Sequence, residues 1–141
     1  MLTASSPFTF LLFGASGNLA KLKLYPALYV LALKKRLPEH YAVVGYSRTA
    51  MTDDEFRKLV SESIKEAMMH EANAKALQEF LTHVFYVSGQ YDSEPDFVRL
   101  HERLHVLEEG WGHRVRLAYL STPPSVIAPI VKNLCTSGIT R

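Results

Sequence analysis

The sequence predicts an α/β fold: a doubly wound, mostly parallel sheet of about four strands with flanking helices. Three observations support this expectation. Short apolar runs alternate with longer stretches of helical periodicity from residue 8 to residue 136. The first apolar run ends in a glycine-containing turn, and no repeat, low-complexity tract or long linker divides the 141 residues. Because such alternation gives parallel strands joined by right-handed crossovers, we expect one Rossmann-like domain over residues 1–141.

The first elements are expected to be a strand, a helix and a second strand. Apolar runs predict the strands over residues 8–13 and 41–46. The helix is predicted over residues 17–36, closed by Pro38, because leucines recur near helical spacing at positions 19, 22, 24, 28, 31 and 33. Pro26 lies inside this helix, where proline costs about 3 kcal/mol, so we expect a kink or a rearranged turn there.

Two helices and a third strand follow. Thr52 and Glu55 have the spacing of a capping box, which predicts a helix from there to about residue 69. A shorter helix is expected over residues 71–82, and the apolar run 84–88 predicts the third strand.

The last part of the chain is expected to hold a helix, the fourth strand and a final helix. Asp92 or Ser93 caps a helix that runs to about residue 107, with an apolar face at positions 97, 100, 104 and 107. The fourth strand is predicted over residues 115–120, and the final helix over residues 125–136. Ligands of such a sheet bind at the carboxyl ends of its strands, which directs attention to the loops there.

The glycine-containing turn has the spacing of a phosphate-binding loop. Gly14, Gly17 and Ala20 give the pattern G-x-x-G-x-x-A directly after the first strand. The first glycine permits the tight turn, the second lets the backbone approach a pyrophosphate, and the small third residue lets the helix pack on the strand. The helix N-terminus then offers unpaired N–H groups to an anion. A nucleotide site and a plain tight turn both remain open on this pattern alone.

The end of the second strand favours NADP over NAD. NAD sites usually carry an acidic residue there for the ribose 2′-hydroxyl, but this strand ends in Ser47, Arg48 and Thr49, with no acid before Asp53. Arginine can pair with a 2′-phosphate and stack on adenine, and the two hydroxyls can add hydrogen bonds. The alternative is an ordinary surface arginine. Lys21, early in the first helix, is unfavourable to the helix dipole unless an anion is bound there.

Composition and charge exclude several classes of function. The formal net charge of +2 argues against nucleic acid or an anionic membrane as partner, and no apolar run reaches the ~18 residues of a membrane span. The N-terminus shows no secretory signal. Cys135 is the only cysteine, expected as an apolar filler in the last helix, and the six histidines show no metal-ligand spacing. We therefore expect a soluble, cytoplasmic protein without a metal site.

Four segments in order resemble the coenzyme domain of glucose-6-phosphate dehydrogenases. Residues 14–28, G-A-S-G-N-L-A-K-L-K-L-Y-P-A-L, are similar to the family motif G-A-S-G-D-L-A-x-x-K-x-x-P, including the unusual Pro26. Residues 45–49, G-Y-S-R-T, resemble the family's G-x-x-R segment. Residues 89–92, G-Q-Y-D, and 119–124, Y-L-S-T-P-P, resemble two further segments. The resemblance covers nearly the whole chain.

The resemblance implies a role for each matching residue in binding NADP. The pyrophosphate and adenosine ribose would be held by Gly14, Ala15, Ser16, Gly17, Asn18, Leu19, Ala20 and Lys21. Arg48 would hold the 2′-phosphate, flanked by Ser47 and Thr49. The rest of the groove would be lined by Tyr91, Ser121, Thr122 and Pro123. Asn18 departs from the family aspartate, which is expected to weaken the loop geometry at most.

The resemblance also implies an enzyme longer than this chain. Family enzymes move a hydride from C1 of glucose 6-phosphate to NADP, and their E-K-P-F-G and R-I-D-H-Y-L-G-K segments would come after Arg141. We expect this chain to be the N-terminal part, inactive alone and without catalytic residues. Glucose 6-phosphate would bind only through the part of the enzyme after Arg141. Any homo-oligomer would likewise form in the full-length protein. The alternative is a stand-alone NADP-binding or sensing module; a small reductase is disfavoured because no Tyr-x-x-x-Lys pair is present.

Overall fold

One parallel sheet organises the molecule. The computed structural model describes residues 6–69, 73–112 and 114–140. Four strands pair in the order β3-β2-β1-β4, and each neighbouring pair is parallel. Their bounds are Phe8–Phe13 for β1, Tyr41–Ser47 for β2, Val84–Ser88 for β3 and Val115–Leu120 for β4. The predicted fold class is confirmed, and only β2 differs from expectation, by one residue at its carboxyl end.

Within the described residues, five α-helices connect and follow these strands. They are α1 at Tyr25–Leu33, α2 at Asp53–Ala67, α3 at Ala74–Leu81, α4 at Glu94–Leu107 and α5 at Ile127–Thr136. The predicted start of α3 at residue 71 lies outside the described residues. The start expected for the last helix was wrong, because the residues after Pro123 first form a 3-10 turn over Pro124–Val126.

A wide turn accommodates Pro26, and it is the rearranged turn that the sequence predicted there. The first helix starts at Asn18, is π-helical over Ala20–Leu24, and continues as α1. The N–H of Tyr25 bonds to the carbonyl of Ala20, five residues back. This register places Pro26 in the first turn of α1, where its missing N–H leaves no bond unmade.

The predicted apolar face of this helix is wrong at four of its six leucines, and the helix is shorter than expected. Leu19, Leu22, Leu31 and Leu33 are exposed, whereas the buried positions are Ala20, Tyr25, Leu28 and Tyr29. One extra residue in a turn rotates all later side chains by roughly 100°, which a regular leucine spacing does not anticipate. The helix also ends before the expected residue 36, because Lys35 adopts a left-handed conformation and the N–H of Arg36 bonds back to Leu31.

Each face of the sheet carries its own core. On one face, α1, α2 and α3 enclose Phe10, Leu12 and Val43 together with the rings of Phe56 and Phe80. On the other face, α4 and α5 cover a second set of strand residues, which comprises Leu11, Phe13, Val44 and Tyr46. Two helical layers therefore hold the strand ends rigidly in place, and the loops after those ends form the candidate site.

The helix signals in the second half of the chain are largely confirmed. Thr52 and Glu55 form the reciprocal capping box of α2, and Ser93, not Asp92, caps α4. The apolar face of α4 is buried as expected at Phe97, Leu100 and Leu104, with position 107 half-buried. The expectation for Cys135 was wrong. It is exposed, because α5 turns Ile130 and Leu134 toward the sheet instead.

Candidate functional site

The candidate site residues lie at one edge of the molecule, at or after the carboxyl ends of the strands. The glycine-containing turn follows β1, the Arg48 segment follows the last residues of β2, Tyr91 follows β3, and residues 121–123 follow β4. Backbone bonds tie these loops together. The N–H of Gly14 bonds to the carbonyl of Tyr46 at 3.0 Å, and the N–H of Ser121 bonds to the carbonyl of Phe13 at 2.9 Å.

Gly14 occupies a position that no other residue fits. Its φ of +83° lies in the left-handed region, and a Cβ there would lie 2.1 Å from the carbonyl oxygen of Ser121. The same Cβ would lie 3.2 Å from the methyl carbon of Thr122. A side chain at this position would therefore force the turn after β1 and the loop after β4 apart.

The rest of the turn leads directly into the first helix. The N–H of Gly17 bonds to the carbonyl of Gly14 at 3.0 Å, and the Tyr25 hydroxyl donates to the carbonyl of Ala15. Ala15 and Ala20 are buried, whereas Asn18 and Leu19 are exposed and Ser16, Gly17 and Lys21 are half-buried. The first turn of this helix leaves backbone N–H groups without intrahelical partners, and the positive end of the helix dipole lies there.

Hydroxyl groups connect this turn to the end of β2. Ser47 is buried, and its Oγ lies 3.3 Å from the Oγ of Ser16. The hydroxyls of Ser16 and Thr49 are 3.4 Å apart. Arg48, which lies between Ser47 and Thr49 in the chain, is exposed. The three hydroxyls therefore form one polar cluster beside the glycine-containing turn, and Arg48 belongs to the same segment.

Arg48 and Tyr91 face each other across this cluster. The guanidinium carbon lies 5.8 Å from the centroid of the Tyr91 ring, within the range of a cation–π contact. Burial raises the pKa of the Tyr91 hydroxyl, although a hydrogen bond with the Gly14 backbone and the charge of Arg48 act in the opposite direction. The hydroxyl is therefore protonated at neutral pH.

Asp53, the first acidic residue after β2, is held away from this cluster. Its Oδ1 accepts from the backbone N–H of Tyr86 at 2.8 Å, and its Oδ2 pairs with Arg103 at 2.7 Å. Both partners lie on other elements, β3 and α4. This carboxylate is thus already paired at the sheet edge.

The loop after β4 closes the other side of the groove. Ser121 and Thr122 are half-buried, and Pro123 is exposed at the start of the 3-10 turn. The Oγ1 of Thr122 is buried and has no hydrogen-bond partner within the described residues. A buried hydroxyl without a partner is costly, so a ligand atom that bonds to it would be favoured here.

Comparison with known proteins shows the family of this chain. The family model described as "Glucose-6-phosphate dehydrogenase, NAD binding domain" matches residues 11–141. The chain belongs to this family. Its coenzyme-binding domain is the part that the match covers.

Individual relatives and a solved structure support the assignment. The chain is 45% identical over 126 residues to "Glucose-6-phosphate 1-dehydrogenase 3, chloroplastic" of Arabidopsis thaliana, covering 89% of the chain and 20% of that protein. It is 43% identical over 136 residues to the chloroplastic enzyme of Solanum tuberosum, covering 91% of the chain and 23% of that protein. The structure "Glucose-6-phosphate dehydrogenase in complex with its substrate glucose-6-phosphate" superimposes with a TM-score of 0.86 at 27% identity, covering 97% of this chain and 28% of that one. The chain spans about a fifth of the length of these curated relatives.

Two residues beside the site were not singled out by sequence analysis. Gly45 was noted only as the first residue of the G-x-x-R motif. A Cβ at this position would lie 2.5 Å from the Phe56 ring and 2.8 Å from the Ala15 side chain. Tyr86 lay in a run treated simply as a strand, yet its hydroxyl bonds to the Arg48 segment. The glycine carried a usable signal, since glycine inside a strand marks a close approach. The tyrosine carried none.

One pair of histidines lies close together on α4. His101 and His105 are four residues apart on α4, and their ring centroids are 4.6 Å apart. However, within the described ranges no group of three or more His, Cys, Asp or Glu side chains could hold a metal ion. Over the same part of the chain, none of the helices is both long and apolar enough to cross a membrane.

Proposed function

We propose that the chain, residues 1–141, is the NADP-binding N-terminal domain of a glucose-6-phosphate 1-dehydrogenase. The complete enzyme would transfer a hydride from C1 of glucose 6-phosphate to NADP in the oxidative pentose phosphate pathway. Family membership supports the coenzyme domain, and the preference for NADP rests on the surroundings of Arg48. NADP supplies the hydride-accepting nicotinamide when bound, and the residues of this chain bind and orient it.

The single observation that carries NADP over NAD is the charge at the end of β2. Arg48 is exposed beside the hydroxyls of Ser47 and Thr49, while the nearest following carboxylate, Asp53, is paired with Arg103. A guanidinium can form two parallel hydrogen bonds with a 2′-phosphate, whereas a carboxylate at this position would repel it.

The turn after β1 would hold the pyrophosphate and the adenosine ribose. The close approach of the backbone at Gly14 and Gly17, the N–H groups of the first helical turn and the charge of Lys21 all favour an anion there. The residues assigned to this role are Gly14, Ala15, Ser16, Gly17, Asn18, Leu19, Ala20 and Lys21. Asn18 carries no charge, so in this position it adds no repulsion to a phosphate.

The loops after β3 and β4 would line the remainder of the coenzyme groove. Its residues are Tyr91, Ser121, Thr122 and Pro123. The buried Thr122 hydroxyl, which lacks a partner within the described residues, supports a ligand contact at that point.

Sugar binding, catalysis and homo-oligomer formation would belong to the rest of the enzyme. This chain supplies no catalytic residue in the proposal. A reading frame that continues beyond Arg141 into E-K-P-F-G separates the proposal from its alternative, a stand-alone NADP-binding module. Cytoplasmic localisation stays a prediction, since several relatives are named as chloroplastic.

Melting of the chain against rising concentrations of NADP and of NAD tests the proposal. A ligand at about 100 times its Kd stabilises the fold by about 2.7 kcal/mol, which raises Tm by several degrees in a domain of this size. We expect a larger shift per unit concentration with NADP. Arg48→Ala should remove that preference, while Arg36→Ala, an exposed arginine after α1, should retain it. Equal losses for NADP and NAD in Arg48→Ala would contradict the assigned role.

A further inference from the structure

Tyr86 contacts both ends of the segment that carries Arg48. Its hydroxyl donates to the carbonyl of Thr49, the residue directly after Arg48, and lies 2.5 Å from the Oγ of Ser47, the residue directly before it. Its backbone N–H donates to the carboxylate of Asp53 at 2.8 Å. One residue of β3 therefore fixes the chain on both sides of the exposed arginine.

The hydroxyls around Tyr86 form an ordered chain of hydrogen bonds. The phenol hydrogen goes to a backbone carbonyl, that of Thr49 with a longer contact to that of Ser47 at 3.3 Å, so the Ser47 hydroxyl donates to the phenol oxygen. The Ser47 oxygen is then the acceptor for the Ser16 hydroxyl at 3.3 Å. The chain runs from the glycine-containing turn to the Arg48 segment, so the phenol links the two loops.

The Tyr86 ring is itself held in a fixed position. The side chain is only 5% exposed, and its ring centroid lies 4.9 Å from that of Phe56. In the β2–β3 register Tyr86 lies opposite Gly45, whose missing side chain leaves space for the Phe56 ring. Burial raises the pKa of the Tyr86 hydroxyl, so at neutral pH it remains a donor. A rigid donor of this kind can order a loop at little entropic cost.

We infer that Tyr86 is a positioning residue for Arg48 and that its phenol hydroxyl contributes to discrimination between NADP and NAD. The inference rests on the proposed function, because it assigns to Tyr86 the orientation of the group that would contact the 2′-phosphate. Tyr86 does not touch the coenzyme in this role. Loss of the hydroxyl frees the carbonyl of Thr49 and the hydroxyl of Ser47, so Arg48 samples more conformations before it binds phosphate.

The test is the affinity for NADP and for NAD of Tyr86→Phe, measured by calorimetric titration of the chain. The phenylalanine ring keeps the contact with Phe56 and removes only the hydroxyl. We expect the affinity for NADP to fall about two- to tenfold, the range of a single hydrogen bond, with the affinity for NAD unchanged. In an Arg48→Ala background the same substitution should have no further effect on NADP, because the group it positions is gone.

Tyr29→Phe is the matched control. Tyr29 on α1 belongs to the same core as Tyr86. Its hydroxyl donates at 3.4 Å to the carbonyl of Asn73, the residue directly before α3. Removing that hydroxyl should change neither affinity. Equal losses for NADP and NAD in Tyr86→Phe, or a full additional loss in the Arg48→Ala background, would overturn the inference. If Arg48→Ala itself weakens both coenzymes equally, the proposed function fails instead.

A second variant keeps the test decisive if Tyr86→Phe does not fold. Asp53→Ala keeps the phenol hydroxyl but removes the acceptor of the Tyr86 N–H and the partner of Arg103, so Tyr86 is held less firmly. It should also lower affinity for NADP selectively, and faster hydrogen exchange of the amides of residues 48–50 should accompany the loss. Unchanged discrimination in a folded Asp53→Ala would count against positioning of Arg48 through Tyr86.

Discussion

The guanidinium of Arg48 lies over the ring of Tyr91, with 5.8 Å between the guanidinium carbon and the ring centroid. The two residues follow different strands, β2 and β3, and differ in burial. Tyr91 is part of the core beneath α4 and α5, whereas Arg48 is exposed. A buried ring therefore lies beneath an exposed, charged side chain, and the contact joins the loops after β2 and β3.

Substitution of Tyr91 tests whether this contact matters for coenzyme binding. Tyr91→Leu should weaken NADP binding about two- to fivefold, because an exposed cation–π contact contributes about 0.5–1 kcal/mol. Tyr91→Phe keeps the ring and serves as control, with the affinity for NADP within twofold of the parent. Calorimetric titrations with NADP measure both affinities. A loss as large in Tyr91→Phe as in Tyr91→Leu would show that the hydroxyl, not the ring face, is responsible.

Gly14→Ala should abolish coenzyme binding and strongly destabilise the fold. The left-handed backbone alone costs an alanine about 1–2 kcal/mol, and the Cβ would in addition lie 2.1 Å from the Ser121 carbonyl oxygen. Gly110→Ala is the matched control, since Gly110 has a φ of +81° but no atom within 4 Å of the added Cβ. Chemical denaturation of the two variants separates the steric cost from the conformational one. Equal destabilisation would mean that the loop after β4 moves aside freely.

The parts of the site visible in the sequence are those that depend on neighbouring residues along the chain. The turn at Gly14 and the basic end of β2 at Arg48 are local patterns, and each predicts its geometry without knowledge of the fold. The hydroxyl of Tyr86, on β3, donates to the carbonyl of Thr49, which follows the neighbouring strand β2. No sequence pattern near position 86 predicts that contact. Local patterns also misled where the backbone left regular geometry, as at Leu31, which is exposed beyond the π-helical turn.

Glu108 is expected to be a pH-dependent contributor to stability. Its side chain is almost fully buried; Arg116 donates to Oε2 at 2.9 Å, and Thr9 donates to the same oxygen at 2.7 Å. Burial alone would raise the pKa of this carboxyl, but the hydrogen bonds from Arg116 and Thr9 outweigh it and lower the pKa below the ordinary 4.5. A lowered pKa in the folded state stabilises the fold above pH 4.5, and this stabilisation is lost as the pH falls through the folded-state pKa.

Glu108→Gln should therefore destabilise the chain by roughly 3–5 kcal/mol at neutral pH, because it leaves a buried arginine without its counter-charge. The difference from the parent should shrink as the pH falls below 4.5, since protonation of Glu108 removes the same charge. Urea denaturation across this pH range measures it. Glu109→Gln, an exposed neighbour, should have little effect at any pH. A constant difference between Glu108→Gln and the parent would exclude titration of this carboxyl as the cause.

The two edges of the sheet differ, and β4 should drive self-association of the chain. The backbone of β3 is capped on its outer side by Arg57 at Val84, Asp53 at Tyr86 and Arg99 at Ser88. Among the described residues no side chain bonds to the outer side of β4 in this way, and Leu117 is 49% exposed there. Open edges of this kind pair with other strands.

Leu117→Lys should weaken self-association about tenfold or more in sedimentation experiments, because it places a charge where a second copy would bury a leucine. Val106→Lys, at a position 67% exposed on α4, controls for added charge alone and should leave association unchanged. A parent chain that stays monomeric at high concentration would contradict the expectation.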